Sequence, residues 1–423
     1  MDYKSIDSTE RWPWWQMLLF RFCCIYILLY ISPLTWLGSL PFIGLIGEYY
    51  DEAETWFVQL TNTHLLHMNS ARLPSNGSGD TTYNYAQVRF FLVAATVVSL
   101  VWTFIDKRKN YAVAYYWLLV ITRYFVAMHA LSYGINKLFT QQMIYPPLSA
   151  LATPLGDLLP MRLSWYFIGY SAPYQFFSGA VEFLAGVLLL FRRTSTLGAF
   201  VAASVFLNVM ILNLCYDIPV KLFSIHLFLF SNFLLIGDIR RLLNFFVFNK
   251  PTQPNSRLTF PKKWMRWAQI GLKLAFAVLF LIMPLSFFFT GSSGGSAPKK
   301  LTIGIFTVDQ FHGNPADSLR WKDIVFERDA SGSIQTTDTL FRQRYRRGYF
   351  HYKLDSLTHT IAFRRLASDT STLFTMAYDM SDTNHIALWG KIRKDSVRVT
   401  LSRQKRHFQL AERQFHWLSE ANR

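Results

Sequence analysis

Seven long apolar runs constrain this chain more than any other feature of its sequence. Each run approaches the roughly 20 residues that a helix needs to cross a bilayer. They fall at 14–36, 88–105, 111–134, 170–191, 197–215, 220–237 and 267–289. Only 16% of the 423 residues are charged, against about a quarter in a typical soluble protein. The sequence therefore predicts an all-α polytopic membrane helix bundle of about seven spans, with the lipid bilayer as its first partner.

Basic clusters beside these runs predict the orientation of the spans. They read DKRKN after the second run, FRRTST after the fourth, and DIRR and PKKWMR after the sixth. Lysine and arginine concentrate in the cytoplasmic loops of membrane proteins. All the clusters share one side if the N-terminus is cytoplasmic, and an odd number of spans then places the C-terminus outside. These topology signals also explain the net charge of +17, so we predict no nucleic-acid partner.

The pattern of apolar and polar residues changes near residue 300. Residues 251–289 form a predicted cytoplasmic linker and last span, and TGSSGGSAPKK at 290–300 is a Gly/Ser linker. Short alternating runs follow, among them LTIGIFTV, IVFER, STLFTMAY, HIALWGKI, SVRVTLSR and HFQLAE. They predict a small antiparallel β domain, a barrel or a sandwich, over 301–423 on the extracytoplasmic side. No nucleophile and base are patterned together there, so we expect no catalytic centre in it.

Three charged residues fall near the middle of predicted spans: Arg21, Arg123 and Glu182. A charge at that depth is costly and normally faces a partner or a wet cavity. We expect one buried cluster, in which Glu182 accepts a hydrogen bond from Arg123, Arg21 or both. Such a cluster could be a structural clamp or a functional site. The small residues at 179–180 and 185–186 predict that Glu182 lies at a tight helix contact.

A second polar group lies toward the outer ends of the predicted spans. It predicts a ligand pocket, with Lys137 as a candidate base, although snorkelling to the headgroups explains Lys137 as well. No histidine pair has ligand spacing inside a helix, so we predict no metal site. The three cysteines give neither a disulfide framework nor a thiol-redox pair. The pocket candidates are His129, Tyr133, Lys137, Asp217, Lys221 and His226.

Several strings resemble the DoxX-like family of bacterial integral membrane proteins, in a longer form with an extra C-terminal domain. The best match is GYSAPYQFFSGAVEFLAGVLLLFRRTSTLGAF, and SYGINKLF and YDIPVKLFSIHL extend it within residues 1–250. The resemblance implies a four-helix core in the bacterial inner membrane. Some members are subunits of quinone-reducing sulfur oxidoreductases, which implies a quinone-like ligand and a redox partner subunit.

The same core is similar to that of vitamin K-dependent carboxylases. There a lysine in a G-x-x-K-L setting acts as a base near a quinol cofactor. The matching positions here are Gly134, Lys137 and Leu138.

Three functions stay open at this point. The first is a redox-linked protein that holds a lipophilic, quinone-like ligand. The second is an enzyme that uses Lys137 as a general base, with Arg123 or Lys221 as the neighbouring cation that such a base needs. The third is a non-enzymatic envelope scaffold whose β domain binds lipid or an envelope partner. Residues 299–423 hold 21 Lys/Arg against 13 Asp/Glu, which suits anionic headgroups.

Overall fold

The computed structural model describes residues 11–33, 43–68, 78–253, 263–290, 301–313 and 319–413. The chain divides into two compact units. Residues 1–143 and 172–292 form a helical unit, and residues 144–171 and 293–423 form a β unit. The predicted domain boundary at residue 301 therefore leaves out 144–171, which folds with the β-strands.

The described part of the helical unit consists of helices joined by loops, and short helices recur in the β unit. A π-helical turn at Asn62–Leu66 extends α2, and another at Val278–Ile282 joins α11 to α12. The stretch 37–87, which lies between the first two predicted spans, thus contains the further helix α2. The bounds are α1 Trp14–Ile31, α2 Ile43–Thr61, α3 Thr82–Ile105, α4 Ala112–Leu138, α5 Leu148–Leu151, α6 Pro160–Tyr170, α7 Ala172–Leu190, α8 Ser195–Cys215, α9 Lys221–Ile236, α10 Ile239–Phe246, α11 Lys263–Ala277, α12 Met283–Thr290 and α13 Gln409–Glu412.

Six of the described helices are long and apolar enough to cross a membrane: α1, α3, α4, α7, α8 and the continuous α11–α12. A seventh crossing is obtained if α9 and α10 count as one span, although they bend by 82°. Asp238 holds this bend, since it accepts hydrogen bonds from Thr196 at 2.5 Å and Arg241 at 2.6 Å. The predicted helical bundle is therefore confirmed with six such helices, or seven with the bent pair.

The core of the helical unit combines small and aromatic side chains. Buried alanines allow neighbouring helices to approach closely, and the aromatic rings fill the wider gaps. The buried set includes Ala127, Ala130, Ala185, Ala199, Ala202, Phe20, Phe125, Phe206 and Phe230.

The β unit is a closed antiparallel barrel. In its described part, eight strands pair in the order β3-β2-β1-β9-β8-β7-β6-β5, and the β3–β5 pairing closes the ring. A ninth strand, β4, forms a hairpin with β5. The predicted antiparallel β domain is thus confirmed, as a barrel. The strands are β1 Gly304–His312, β2 Asp323–Phe326, β3 Ser331–Ile334, β4 Arg342–Arg344, β5 Arg347–Asp355, β6 Thr360–Arg364, β7 Phe374–Asp382, β8 His385–Ile392 and β9 Asp395–Arg403.

One predicted strand was wrong. The segment HFQLAE at 407–412 ends in the short helix α13 instead. The carboxylate of Glu412 accepts a hydrogen bond from the Phe408 N–H at 3.1 Å, which closes a helical turn. A local side-chain bond of this kind offers the backbone an alternative to strand pairing.

Aromatic rings fill the interior of the barrel. Phe363 stacks on Phe374 with 4.7 Å between ring centroids, and Phe350 lies 5.0 Å from Phe363. An eight-stranded barrel has an interior just wide enough for side chains to fill. The barrel therefore has a packed core. Its other large buried members include Phe306, Trp321, Phe326 and Phe341.

Replacing Phe363 by alanine should open a cavity in this core. We expect the barrel to lose about 3–5 kcal/mol of stability. Leu357→Ala is the matched control, because Leu357 is 94% exposed. Hydrogen exchange of β5–β7 peptides in the full-length protein measures the effect. Equal protection in the two variants would contradict a packed interior.

Candidate functional site

Glycines bring α4 and α7 into close antiparallel contact. A Cβ atom on Gly134 would lie 2.6 Å from the Phe183 nitrogen, and one on Gly179 would lie 2.6 Å from the Lys137 Cβ. A third, on Gly186, would lie 2.7 Å from a side-chain carbon of α4. A larger residue at these positions would force the helices apart. The predicted tight contact around Glu182 is therefore confirmed.

This contact encloses an ion pair between Lys137 and Glu182. The Lys137 Nζ donates a hydrogen bond to Oε1 of Glu182, and the two side chains are 7% and 1% exposed. Lys137 is thus buried and does not snorkel. The other carboxylate oxygen, Oε2, is buried and has no hydrogen-bond partner in the described part of the chain. Since an unpaired buried charge costs several kcal/mol, each residue depends on the other.

The expected partnership of Arg21 with Glu182 was wrong. Arg21 instead donates to the Tyr111 hydroxyl at 2.7 and 2.9 Å, to Thr103 Oγ1 at 2.7 Å and to the Asp106 carbonyl at 3.2 Å. Arg21 lies seven residues into α1, about 10 Å from its start at 1.5 Å per residue. It is therefore placed to clamp the turn between α3 and α4.

Arg123 does not reach Glu182 either. It precedes Lys137 by fourteen residues on α4, a distance of about 21 Å along the helix. The guanidinium lies over the Tyr124 ring at 5.0 Å, and its buried Nε has no partner among the described residues. Arg123, Ala130 and Lys137 are spaced by seven residues on α4 and are all buried. They share a face but not a partner.

A cavity of about 600 Å³ lies within the helical unit. Phe125, His129 and Tyr133 line it from α4, where a spacing of four places them along one side of the helix. The imidazole of His129 sits between Phe125 at 4.5 Å and Phe223 at 4.8 Å. The side chains of His129 and Tyr133 make no hydrogen bond within the described ranges. The remaining lining residues are Tyr30, Ser78, Gly79, Asn84, Gln87, Val88, Phe91, Val220, Leu222 and Phe223.

Tyr133 connects this cavity with the ion pair. It lines the cavity, and it also lies within electrostatic range of Glu182. Lys137 follows Tyr133 by one further step of four, but its side chain is bonded to Glu182 of α7 and does not line the cavity. Lys137 therefore faces α7 and not the cavity, in contrast to the prediction that it opens into the pocket.

The rim of the cavity depends on Asp80, a residue that sequence reasoning missed. Its carboxylate accepts hydrogen bonds from the N–H groups of Lys221 at 2.8 Å and Leu222 at 3.0 Å. The Lys221 Nζ lies 2.7 Å from Asp217 and 3.6 Å from Asp80. The predicted pocket residues Asp217 and Lys221 thus form an ion pair at the rim.

A sequence signal for Asp80 exists in retrospect. α9 begins at Lys221 without a side-chain cap of its own, and the start of a helix favours a carboxylate. The Gly-rich segment NGSGDTTY supplies that carboxylate from 141 residues away.

His226 supports the cavity wall without lining it. Its Nδ1 lies 2.6 Å from the Leu222 carbonyl oxygen, and its Nε2 lies 2.6 Å from the Tyr26 hydroxyl. A carbonyl oxygen only accepts, so Nδ1 donates and Nε2 accepts from Tyr26. The imidazole stacks on Tyr30 with 3.8 Å between ring centroids. His226, a predicted pocket residue, therefore fixes Tyr30, which does line the cavity.

Within residues 11–33, 43–68, 78–253, 263–290, 301–313 and 319–413, no three His, Cys, Asp or Glu residues lie close enough to hold a metal ion. Cys23, Cys24 and Cys215 are free thiols.

The fold and site define a two-unit protein, with an eight-stranded barrel and a helical unit built around a buried Lys–Glu pair. The chain is 34% identical over 126 residues to "Uncharacterized protein YwoB" of Bacillus subtilis (strain 168). The match covers 29% of this chain and 79% of YwoB. The chain therefore belongs to the same family as YwoB. No established family profile and no solved structure matches it.

Breaking the ion pair from one side should be strongly destabilising. We expect Lys137→Met or Glu182→Gln alone to cost about 3–5 kcal/mol, because each leaves a buried polar partner unpaired. The double variant should lose less than the sum of the two, measured by unfolding in detergent. Asp217→Asn is the matched control, because the Asp217 side chain is 81% exposed and its pair with Lys221 should contribute about 0–1 kcal/mol. Additive losses at 137 and 182 would show that the charges do not interact.

The close contact between α4 and α7 at Gly179 leads to a separate prediction. Gly179→Ala should cost about 1–3 kcal/mol, because its methyl group overpacks the interface with α4. Gly271→Ala on α11 is the control, since nothing lies within 4 Å of the added carbon. Thermal unfolding in detergent compares the two variants. A Gly179→Ala protein as stable as the control would refute the close contact.

Proposed function

We propose that the protein is a multi-pass protein of the bacterial inner membrane, with a DoxX-like helical core, that binds a lipophilic, quinone-like ring in the cavity beside Tyr133. One observation carries this proposal. His129 and Tyr133 face the cavity, and neither has a hydrogen-bond partner in the described part of the chain. Partly buried polar groups normally find partners, so these two are placed to meet polar atoms of a ligand.

The cavity suits a ring with carbonyl or hydroxyl oxygens. Its volume of about 600 Å³ lies in the usual range for small-molecule sites. The rings of Tyr30, Phe91 and Phe223 offer faces and edges for aromatic stacking. The Tyr133 hydroxyl and an imidazole N–H of His129 can each donate to a ligand oxygen.

The ion pair adds a proton-holding group near the ligand. A bound quinone supplies two-electron chemistry, and the electrons would come from a redox partner subunit. The chain itself binds and orients the ring, and it can hold a proton on the free Oε2 of Glu182. Tyr133 lines the cavity and also interacts electrostatically with that carboxylate.

The proposed orientation places the cavity toward the extracytoplasmic side. The basic segments 106–110, 192–193 and 238–241 follow the ends of α3, α7 and α9. If these ends are cytoplasmic, the starts of α3 and α9 face outward. The cavity is lined by residues from those starts and from the second half of α4. The N-terminus is then cytoplasmic, and the barrel is extracytoplasmic.

The general-base hypothesis receives less support from the site. Lys137 does not line the cavity, and it donates its hydrogen bond to Glu182. To act as a base it would first have to pass a proton to that carboxylate. A role in holding the site together and in storing charge accounts for the same residues.

Binding of a defined quinone tests the proposal. Full-length protein in nanodiscs is titrated with decylubiquinone and with a short-chain menaquinone. We expect His129→Phe and Tyr133→Phe each to weaken binding roughly five- to tenfold, the cost of one hydrogen bond. Tyr115→Phe is the control, because it makes the same change on α4 outside the cavity lining. Failure of both quinones to bind the wild-type protein, or equal affinity in all variants, would refute the proposal.

A further inference from the structure

An exposed row of apolar side chains runs along α6 of the β unit. Leu159, Leu163, Phe167 and Tyr170 are spaced by four, four and three residues, so they share one side of the helix. Phe167 is 71% exposed, Leu159 is 59% exposed and Leu163 is 44% exposed. Single exposed apolar residues are ordinary, but a contiguous row marks an interaction surface.

The orientation of this row is fixed by contacts with the barrel. On another side of α6, the Arg162 Nε donates to the Tyr345 hydroxyl at 2.7 Å. Upstream, the Ser149 N–H donates to Glu327 at 2.7 Å, and Ser333 donates to the Ser149 hydroxyl at 2.8 Å. The segment 144–171 is therefore held on the barrel by polar contacts, while Leu159, Leu163 and Phe167 remain exposed.

Arginines lie directly beside α6. Arg342 and Arg344 are exposed on β4, and Arg346 is exposed in the β4–β5 turn, where its Nε contacts Asp157 at 3.1 Å. We call Arg162, Arg342, Arg344 and Arg346 the arginine patch. Partial burial lowers the pKa of Arg344, and the charges of Arg342 and Arg162 lower it further. These four cations repel one another, and Asp157 offsets part of their charge through its contact with Arg346.

The chain itself indicates what faces this surface. α6 ends at Tyr170, and α7 begins at Ala172. α7 is one of the helices long and apolar enough to span a bilayer. One residue, Ser171, separates them, so the end of α6 must lie where the chain would enter the membrane. A helix with an apolar side and a basic flank at that depth has the composition of an interfacial helix.

We propose that α6 and the arginine patch form a membrane-surface site, in which the apolar row inserts among the upper acyl chains and the arginines bind the phosphates of anionic phospholipids. The apolar row and the arginine patch lie side by side. A helix at a bilayer interface needs both, because one side meets acyl chains and the other meets headgroups. Guanidinium groups bind phosphate through paired N–H donors. This function of the β unit is independent of the quinone cavity, which belongs to the helical unit.

Spin-label accessibility in nanodiscs tests the insertion of α6. In full-length protein with Cys23, Cys24 and Cys215 replaced by serine, a label is placed at Phe167→Cys. The matched label is at Leu357→Cys, on the β5–β6 turn, where the native side chain is 94% exposed. In phosphatidylglycerol nanodiscs we expect the oxygen-to-nickel accessibility ratio at 167 to be several-fold higher than at 357. Aqueous accessibility at 167, or protection from both reagents by a protein contact, would overturn the proposal.

The anionic-lipid part has its own comparison. We expect the ratio at 167 to fall severalfold in pure phosphatidylcholine, and to fall equally in phosphatidylglycerol when Arg342→Gln and Arg344→Gln are combined. Lys391→Gln with Arg398→Gln removes two exposed charges from β8 and β9 and should leave the ratio unchanged. A ratio that ignores lipid charge, or that responds equally to both double variants, would contradict the assignment of the arginine patch to phosphate.

Discussion

The buried pair of Lys137 and Glu182 is the interaction on which the helical unit depends. Two charges withdrawn from water are tolerated only when each finds the other, so α4 and α7 must meet in one register. Gly134 and Gly179 make that register sterically possible, because a side chain at either position would collide with the opposing helix. Sequence, packing and electrostatics thus specify the same contact.

The same register determines which side chains of α4 face the cavity. With Lys137 turned toward α7, the row of Phe125, His129 and Tyr133 is directed to the cavity. The polar rim from Asp80 to Lys221 then ties the start of α9 to the loop before α3. The cavity therefore takes its shape from two electrostatic contacts, one buried and one at the rim. The barrel has a packed interior and contributes the exposed side of α6.

Much of this architecture could be predicted from the sequence, because it follows from local periodicity. Apolar runs gave the helices, alternating runs gave the strands, and the small residues around Glu182 gave the close contact. The partner of Glu182 could not be predicted in this way. Counting along each run placed Arg21, Arg123 and Glu182 at similar depths, whereas the antiparallel register sets Glu182 opposite the last turn of α4. The capping role of Asp80 and the packing of segment 144–171 on the barrel could not be predicted for a related reason. Their partners lie 141 or more residues away in the sequence.

A density map of the full-length protein, purified with its native lipids in nanodiscs, tests the central claim most directly. The claim is that the α4–α7 ion pair sets a cavity that holds a lipophilic ring. We expect flat, ring-shaped density against His129 and Tyr133, with Lys137 and Glu182 in contact behind it. A cavity filled only by water or by an acyl chain, after addition of decylubiquinone and menaquinone, would contradict the claim.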